Sequence, residues 1–239
     1  MRRSSPDVRL LHVVVPARDE EALIERCLQS VQSSRLHLRA TAAEIAVRTT
    51  VVLDSCTDRT ASIAARFREV DLVEVRCASV GAARRKGVEQ ALHRLSPLDA
   101  GQVWVACTDA DSEVPPGWLA GQLRAARDGY DARVGTVIPD GDVSSPSVYQ
   151  RWRARSDFSD GHAHVHGANL GFSLSAYQRV GGFTDVVCHE DVVLVHAMRT
   201  AGLRLFAGGD DPVVTSGRRS GRLRGGFADY LDRLEASAG

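Results

Sequence analysis

The sequence predicts an α/β fold with a Rossmann-like, mostly parallel central sheet and helices on both faces. Three observations predict it. Short apolar runs alternate with longer stretches of helical periodicity, the pattern of βαβ units. The chain has 239 residues, 44% apolar and 25% charged, which excludes a disordered or fibrous chain and supplies a sizeable core. Acidic and small residues directly follow several of the apolar runs, where open parallel sheets bind their ligands.

The elements follow in order. Leu10 to Val15 reads as the first strand, and Glu20 to Gln32 as a helix with Leu23, Ile24, Leu28 and Val31 on one face. Thr49 to Leu53 is a second strand, and Thr57 or Asp58 caps a helix expected to run to about Val70. A strand over Leu72 to Val75, a helix over Gly81 to Leu95 and a strand over Val103 to Cys107 come next. Pro115 and Pro116 open a helix that reaches about Arg127, and a fifth strand is expected near Arg133 to Ile138. Pro139 to Pro146 reads as a polar loop and Ser147 to Arg155 as a helix. His164 to Leu174 reads as a strand, and Asp191 to Ala201 and Gly225 to Leu234 as helices.

Thirty basic and thirty acidic side chains cancel, so no net field draws the chain to nucleic acid. Lys86 is the only lysine, a bias that fits a GC-rich bacterial genome. The five cysteines lie far apart and form no CxxC pair, which points to reduced thiols in the cytoplasm. The apolar stretch near the N-terminus is too short for a signal peptide, and no run of about 18 apolar residues spans a membrane.

Candidate chemistry sits after the strands. Pro16-Ala17-Arg18-Asp19-Glu20 places acids at a helix start, where they serve as caps or as ligand contacts. Asp54 ends a buried strand, where a carboxylate needs a partner. Asp58 and Thr60 read as helix caps. Asp109 and Asp111 follow the fourth strand at i, i+2. In an extended chain both would face one ligand, and a divalent cation would relieve their repulsion. Gly81-Ala82-Ala83-Arg84-Arg85-Lys86-Gly87 combines small residues with cations that suit phosphate or a solvated face. His162, His164 and His166 form a comb that suits zinc if the segment is a strand, although no second set of ligands stands nearby; one of these imidazoles lining a polar pocket is the favoured expectation. Glu190 and Asp191 begin a helix, as caps or as a general base. Arg218, Arg219, Arg222 and Arg224 fill a glycine-flanked loop that can clamp phosphate or touch an anionic surface.

The order VVVPARDEE, VVLDSCTDRT, GAARRKG, TDADS, GANLGF with VGGF, and HEDVVL resembles the inverting family 2 glycosyltransferases of the GT-A fold, from about Leu11 to Ser216. The resemblance implies a single domain over residues 1–239. A nucleotide-sugar half would cover about 10–112 and an acceptor half about 113–216, followed by a basic loop and helix over 217–239. It implies that Pro16, Ala17, Asp19, Glu20 and Asp54 surround the nucleoside and that Arg84 lies near the diphosphate. Asp109 and Asp111 would be the DxD motif that holds Mg²⁺ or Mn²⁺, and Asp191, of the pair Glu190-Asp191, the general base. The implied partners are a nucleotide-diphosphate sugar and a small-molecule or lipid-like acceptor. The implied location is cytoplasmic, with peripheral membrane contact. Leu53 stands where the family often has an acid, Lys86 where asparagine is common, and no QxxRW motif appears, which favours a single transfer over polymerisation. Three other readings compete. A sugar nucleotidyltransferase of the same fold would carry a glycine-rich segment near the N-terminus, and the segment after Val15 has no glycine. A non-catalytic nucleotide-binding protein need not keep all four acids. A zinc hydrolase would rest on the histidine comb.

Overall fold

The computed structural model describes residues 7–93, 98–140, 146–186 and 188–218. An eight-stranded sheet runs through them. The strands are β1 (Leu10–Ala17), β2 (Ala46–Asp54), β3 (Val70–Val75), β4 (Val103–Cys107), β5 (Ser112–Glu113), β6 (Ala132–Pro139), β7 (Leu170–Ser173) and β8 (Leu205–Thr215). Their spatial order is β3-β2-β1-β4-β7-β6-β8-β5. The pairs β1–β2, β1–β4, β2–β3 and β6–β8 are parallel, while β7 runs antiparallel to both neighbours and β5 antiparallel to β8. The helices are α1 (Ile24–Arg39), α2 (Thr60–Ala64), α3 (Val80–His93), α4 (Trp118–Arg127), α5 (Pro146–Arg155), α6 (Leu174–Arg179) and α7 (Glu190–Thr200).

Alternation along the buried strands feeds two cores. Leu11, Val13 and Val15 of β1 pack with α1 and α4 on one face, while Leu10 and Val14 pack with α3, α6 and α7 on the other. Helices therefore cover both faces, as the sequence predicts. The chain moves outward from β1 to β3 and then crosses to β4 on the other side of β1. That reversal opens a crevice at the carboxyl ends of β1 and β4.

Several expectations are corrected. The helix expected to reach Val70 stops at Ala64, because Val70 is already paired with Thr49 in the sheet and the chain must return to it. Asp58 does serve its first turn, accepting the Thr60 N–H at 2.9 Å. The strand expected over His164 to Leu174 shrinks to β7, since Gly167–Asn169 form a 3₁₀ turn. In that turn the Asn169 side chain binds the Thr136 carbonyl at 2.9 Å and accepts the Trp118 indole N–H at 2.9 Å. The long strand β8, the two-residue β5 and helix α6 have no counterpart in the sequence reading. The helix expected over Gly225 to Leu234 lies outside the described residues, as do Arg219, Arg222 and Arg224.

Candidate active site

An open cavity of about 690 Å³ lies over the crevice. Its walls include Pro16, Ala17, Arg18 and Glu20 after β1, Asp54 after β2, Arg84 of α3, Asp109 and Asp111 after β4, and Glu190 and Asp191 of α7. Nine of the ten residues singled out from the sequence as site residues thus meet in one space. The exception is Asp19, whose carboxylate turns to the Thr57 N–H at 2.7 Å, a bond that holds its carboxyl below the usual range. Asp19 therefore ties the β1 loop to the β2 loop. The Glu20 N–H to Thr60 Oγ1 bond (2.7 Å) and the Glu21 N–H to Asp58 bond (2.9 Å) reinforce that tie.

Asp54 finds its partners in backbone. Its carboxylate accepts N–H groups of Cys77, Ala78 and Ser79 at 2.8–3.2 Å, folding the loop after β3 against the cavity. Ala78 takes φ 53° there. Asp19, Ser55 and His189 also adopt positive φ, so left-handed non-glycine residues cluster in the loops around this cavity, where the surrounding bonds hold them.

Arg84 is the centre of the site. It is 3% exposed and forms ion pairs with Asp109 at the end of β4 and with Glu190 at the start of α7. Burial opposes its charge, but Asp109, Glu190 and Asp191 outweigh burial and hold the guanidinium protonated. Burial raises the Glu190 carboxyl, against the pull of Arg84. Two glycines make room for this pair. A Cβ on Gly81 would lie 2.9 Å from Glu190 Cγ, and one on Gly167 would lie 2.5 Å from Arg84 Cζ. The small residue at Gly81 therefore accommodates a carboxylate side chain, not a phosphate. Arg85 and Lys86 leave the site for Asp185 (2.9 Å) and Glu89 (2.8 Å).

Asp109 and Asp111 share the cavity for a different reason from the one expected. The chain after β4 is a turn, closed by the Ser112 N–H to Asp109 carbonyl bond at 3.0 Å, not an extended segment. Burial and the Asp109 carboxylate push the Asp111 carboxyl up to about 6, against the pull of Arg218. Arg218, at the exit of β8, pairs with Glu20 and lies 3.0 Å from Asp111. Asp191 accepts the Gly167 N–H at 2.6 Å and the Val192 N–H at 2.8 Å, so its carboxylate is fixed at the cavity edge. The three imidazoles of the comb do not converge. The rings step past one another with centroids 5.8 and 5.9 Å apart; His164 and His166 line the cavity, while His162 is buried against the Gly208 carbonyl. Among the described residues, no group of three or more His, Cys, Asp or Glu side chains is arranged to hold a metal ion. The cavity wall also contains Trp152, Phe158 and Thr136, which no local sequence signal marks.

A family model described as Glycosyl transferase family 2 matches residues 12–180. The chain belongs to that family. Its fold is the GT-A fold of nucleotide-sugar transferases, and the family makes the chain a glycosyltransferase. Similar solved structures include residues 1–349 of TarS from S. aureus, at 13% identity and TM-score 0.62, covering 94% of this chain and 68% of that one. The mannosyltransferase PcManGT from Pyrobaculum calidifontis, in complex with GDP-Man and Mn²⁺, is 21% identical with TM-score 0.63, covering 88% of this chain and 58% of that one. Glucosyl-3-phosphoglycerate synthase from Mycobacterium tuberculosis, with Mn²⁺, UDP and glucosyl-3-phosphoglycerate, is 16% identical with TM-score 0.55, covering 95% and 76%. The glycosyltransferase described here spans between 42% and 68% of the length of four of its structural matches. No curated protein sequence matches it. Among its described residues, no helix is long and apolar enough to cross a membrane.

Proposed function

We propose that this chain is an inverting transferase that moves a sugar, a hexose, from a nucleoside-diphosphate sugar to a hydroxyl or carboxyl of a small-molecule or lipid-like acceptor, with Mg²⁺ or Mn²⁺ bound. One observation carries the reading. Arg84 joins Asp109, on the strand-end side of the cavity, to Glu190, whose neighbour Asp191 stands at the far edge of the same space. Matched structures that carry GDP-Man with Mn²⁺ and UDP with Mn²⁺ support a donor of this class.

The site chemistry fits a hard divalent cation. Asp109 and Asp111 offer carboxylate oxygens to one cavity, and a cation there would offset the burial and the mutual repulsion that raise the Asp111 carboxyl. Two protein carboxylates suffice where diphosphate oxygens complete the shell. When bound, the ion would neutralise charge on the departing nucleoside diphosphate. Arg84 and Arg218 face the same space and add positive charge against the leaving group. Pro16, Ala17, Glu20 and Asp54 form the wall for the nucleoside.

Asp191 is the general base. Two backbone N–H groups fix its orientation, and each oxygen keeps a lone pair for a proton. It takes the acceptor hydroxyl proton as that oxygen attacks the anomeric carbon from the face opposite the diphosphate. The new C–O bond forms as the bond to the diphosphate breaks, which inverts the configuration. Glu190 is the positioning residue, because its carboxylate is committed to Arg84. A thermal-shift and calorimetry screen of UDP, GDP and their sugars with and without Mn²⁺ tests the donor. Binding is expected to require the metal, and metal-independent binding counts against the Asp109–Asp111 assignment. The anomeric configuration of the product, read by NMR, tests inversion.

A further inference from the structure

Helix α1 lies against the segment from Asp109 to Leu119, which leads from β4 through β5 into α4. The buried stripe of α1 holds Ile24, Cys27, Leu28, Val31 and Leu38, and among them Ser34. A hydroxyl in such a stripe is costly unless it is bonded. Ser34 accepts the Leu119 N–H at 3.0 Å. Ser30, half-buried one turn earlier, accepts the Val114 N–H at 3.0 Å and donates to the Cys27 carbonyl at 2.7 Å. Cys27 donates its thiol to the Asp109 carbonyl at 3.3 Å. Residues three and four apart share a helix face. Side chains 27, 30 and 34 therefore grip the backbone at residues 109, 114 and 119 in the same order.

Each bond answers a local need. The Leu119 N–H belongs to the first turn of α4, where backbone donors lack partners within the helix. Gly117 stands at the N-cap with no side chain to serve them, so Ser34 caps α4 from the neighbouring helix. Val114 precedes Pro115 and Pro116, which have no N–H, so its own is the last backbone donor before them. The Asp109 carbonyl also accepts the Ser112 N–H at 3.0 Å, the bond that closes the acidic turn. From the other side, β8 holds the same turn. Ser112 Oγ bonds Thr215 Oγ1 at 2.9 Å, and the Ser216 N–H reaches the Asp111 carbonyl at 3.1 Å. The acidic turn is thus clamped between α1 and β8.

Two carboxylates in one turn repel each other, and a loose backbone would relax by moving them apart. Building on the metal-dependent donor reading, we infer that Cys27 and Ser30 are positioning residues for the divalent cation. They fix the backbone that carries Asp109 and Asp111, so that both carboxylates are in place before the ion arrives. Ser34 fixes the start of α4 and not the acids.

Mn²⁺ titrations of the full chain in the presence of UDP, read by electron paramagnetic resonance, compare wild type with Ser30→Ala, Cys27→Ala and Ser34→Ala. Thermal unfolding and amide hydrogen exchange in chelator report on the fold of each without metal. Alanine is a good helix former, so Ser30→Ala keeps α1. It should weaken Mn²⁺ about tenfold, as removing a support behind metal ligands does. It should also speed exchange across residues 109–114 in the metal-free protein. Cys27→Ala releases the Asp109 carbonyl by a separate route and should act in the same direction. Ser34→Ala leaves a buried N–H unpaired and should lower the melting temperature at least as much as Ser30→Ala, yet keep the wild-type Mn²⁺ affinity. Wild-type affinity in both Ser30→Ala and Cys27→Ala overturns the inference. So does an equal loss in Ser34→Ala, which would mean a general loosening of α1 against α4. A wild type that binds no Mn²⁺ with UDP is a different result, and it sinks the metal reading together with the inference built on it.

Discussion

Replacing Asp111 by asparagine should make the ligand-free protein more stable at neutral pH, although Asp111 stands in the proposed active site. Burial and the Asp109 carboxylate raise its carboxyl from the ordinary 3.8 to about 6, with the opposing effect of Arg218 already included. A carboxyl raised on folding holds its proton more tightly in the folded chain than in the unfolded one, so its ionisation opposes folding. The penalty is absent below about pH 3.8, grows between 3.8 and about 6, and is complete above about 6. At about 1.4 kcal/mol per pH unit this displacement corresponds to about 3 kcal/mol. The side chain is 18% exposed, so solvent screens only part of it. For a chain of this size each kcal/mol moves the melting temperature by roughly 2–4 °C, which gives a gain of about 6–12 °C. The assay is thermal unfolding of wild type and Asp111→Asn in chelator, from about pH 4 to 8. The gap should be widest near pH 7.5 and close towards pH 4. With Mn²⁺ and nucleotide it should narrow or reverse, because only the wild type gains ligand stabilisation. A variant that melts at or below wild type at pH 7.5, or a gap that ignores pH, refutes the reasoning.

Other predictions concern the rest of the site. Asp191→Asn should lower turnover by about 10²–10⁴ while nucleotide affinity is kept. If Asp191 only steadies its helix, the variant instead melts early, by about 1 kcal/mol, and transfers sugar at near wild-type rate. Arg84→Met leaves Asp109 and Glu190 without their cation and should cost about 3–5 kcal/mol in urea unfolding. Adding Glu190→Gln should recover part of that loss, and strictly additive effects would show that the pair is not coupled. Gly167→Ala forces a Cβ to 2.5 Å from Arg84 Cζ and should destabilise by about 1–3 kcal/mol, checked by the same unfolding titration.

What the sequence determined by itself was local and periodic. β4 (Val103–Cys107) is where its apolar run places it, and β1, β2, α3, α4, α5 and α7 overlap their predicted spans, because burial on a strand or helix face writes a repeat of two or 3.6 into the chain. The motif order carried the family and brought nine of the ten singled-out residues into one cavity, since parallel strands deliver their following loops to one edge. Tertiary structure decided the partners. No periodicity says that Arg84 will tie Asp109 to Glu190, residues 25 and 106 positions away along the chain. Nor does it say that Gly81 and Gly167 stay small for that pair, or that Asp19 turns to Thr57. β8 was illegible because Gly208, Gly209, Asp210, Asp211 and Pro212 carry little strand propensity, and pairing with β6 across a bulge makes it a strand. The cavity wall of Trp152, Phe158, His164 and His166 likewise exists only where α5 and the histidine segment fold together. A charge or ring is visible in a sequence, but what it faces is set by contacts between residues far apart in the chain.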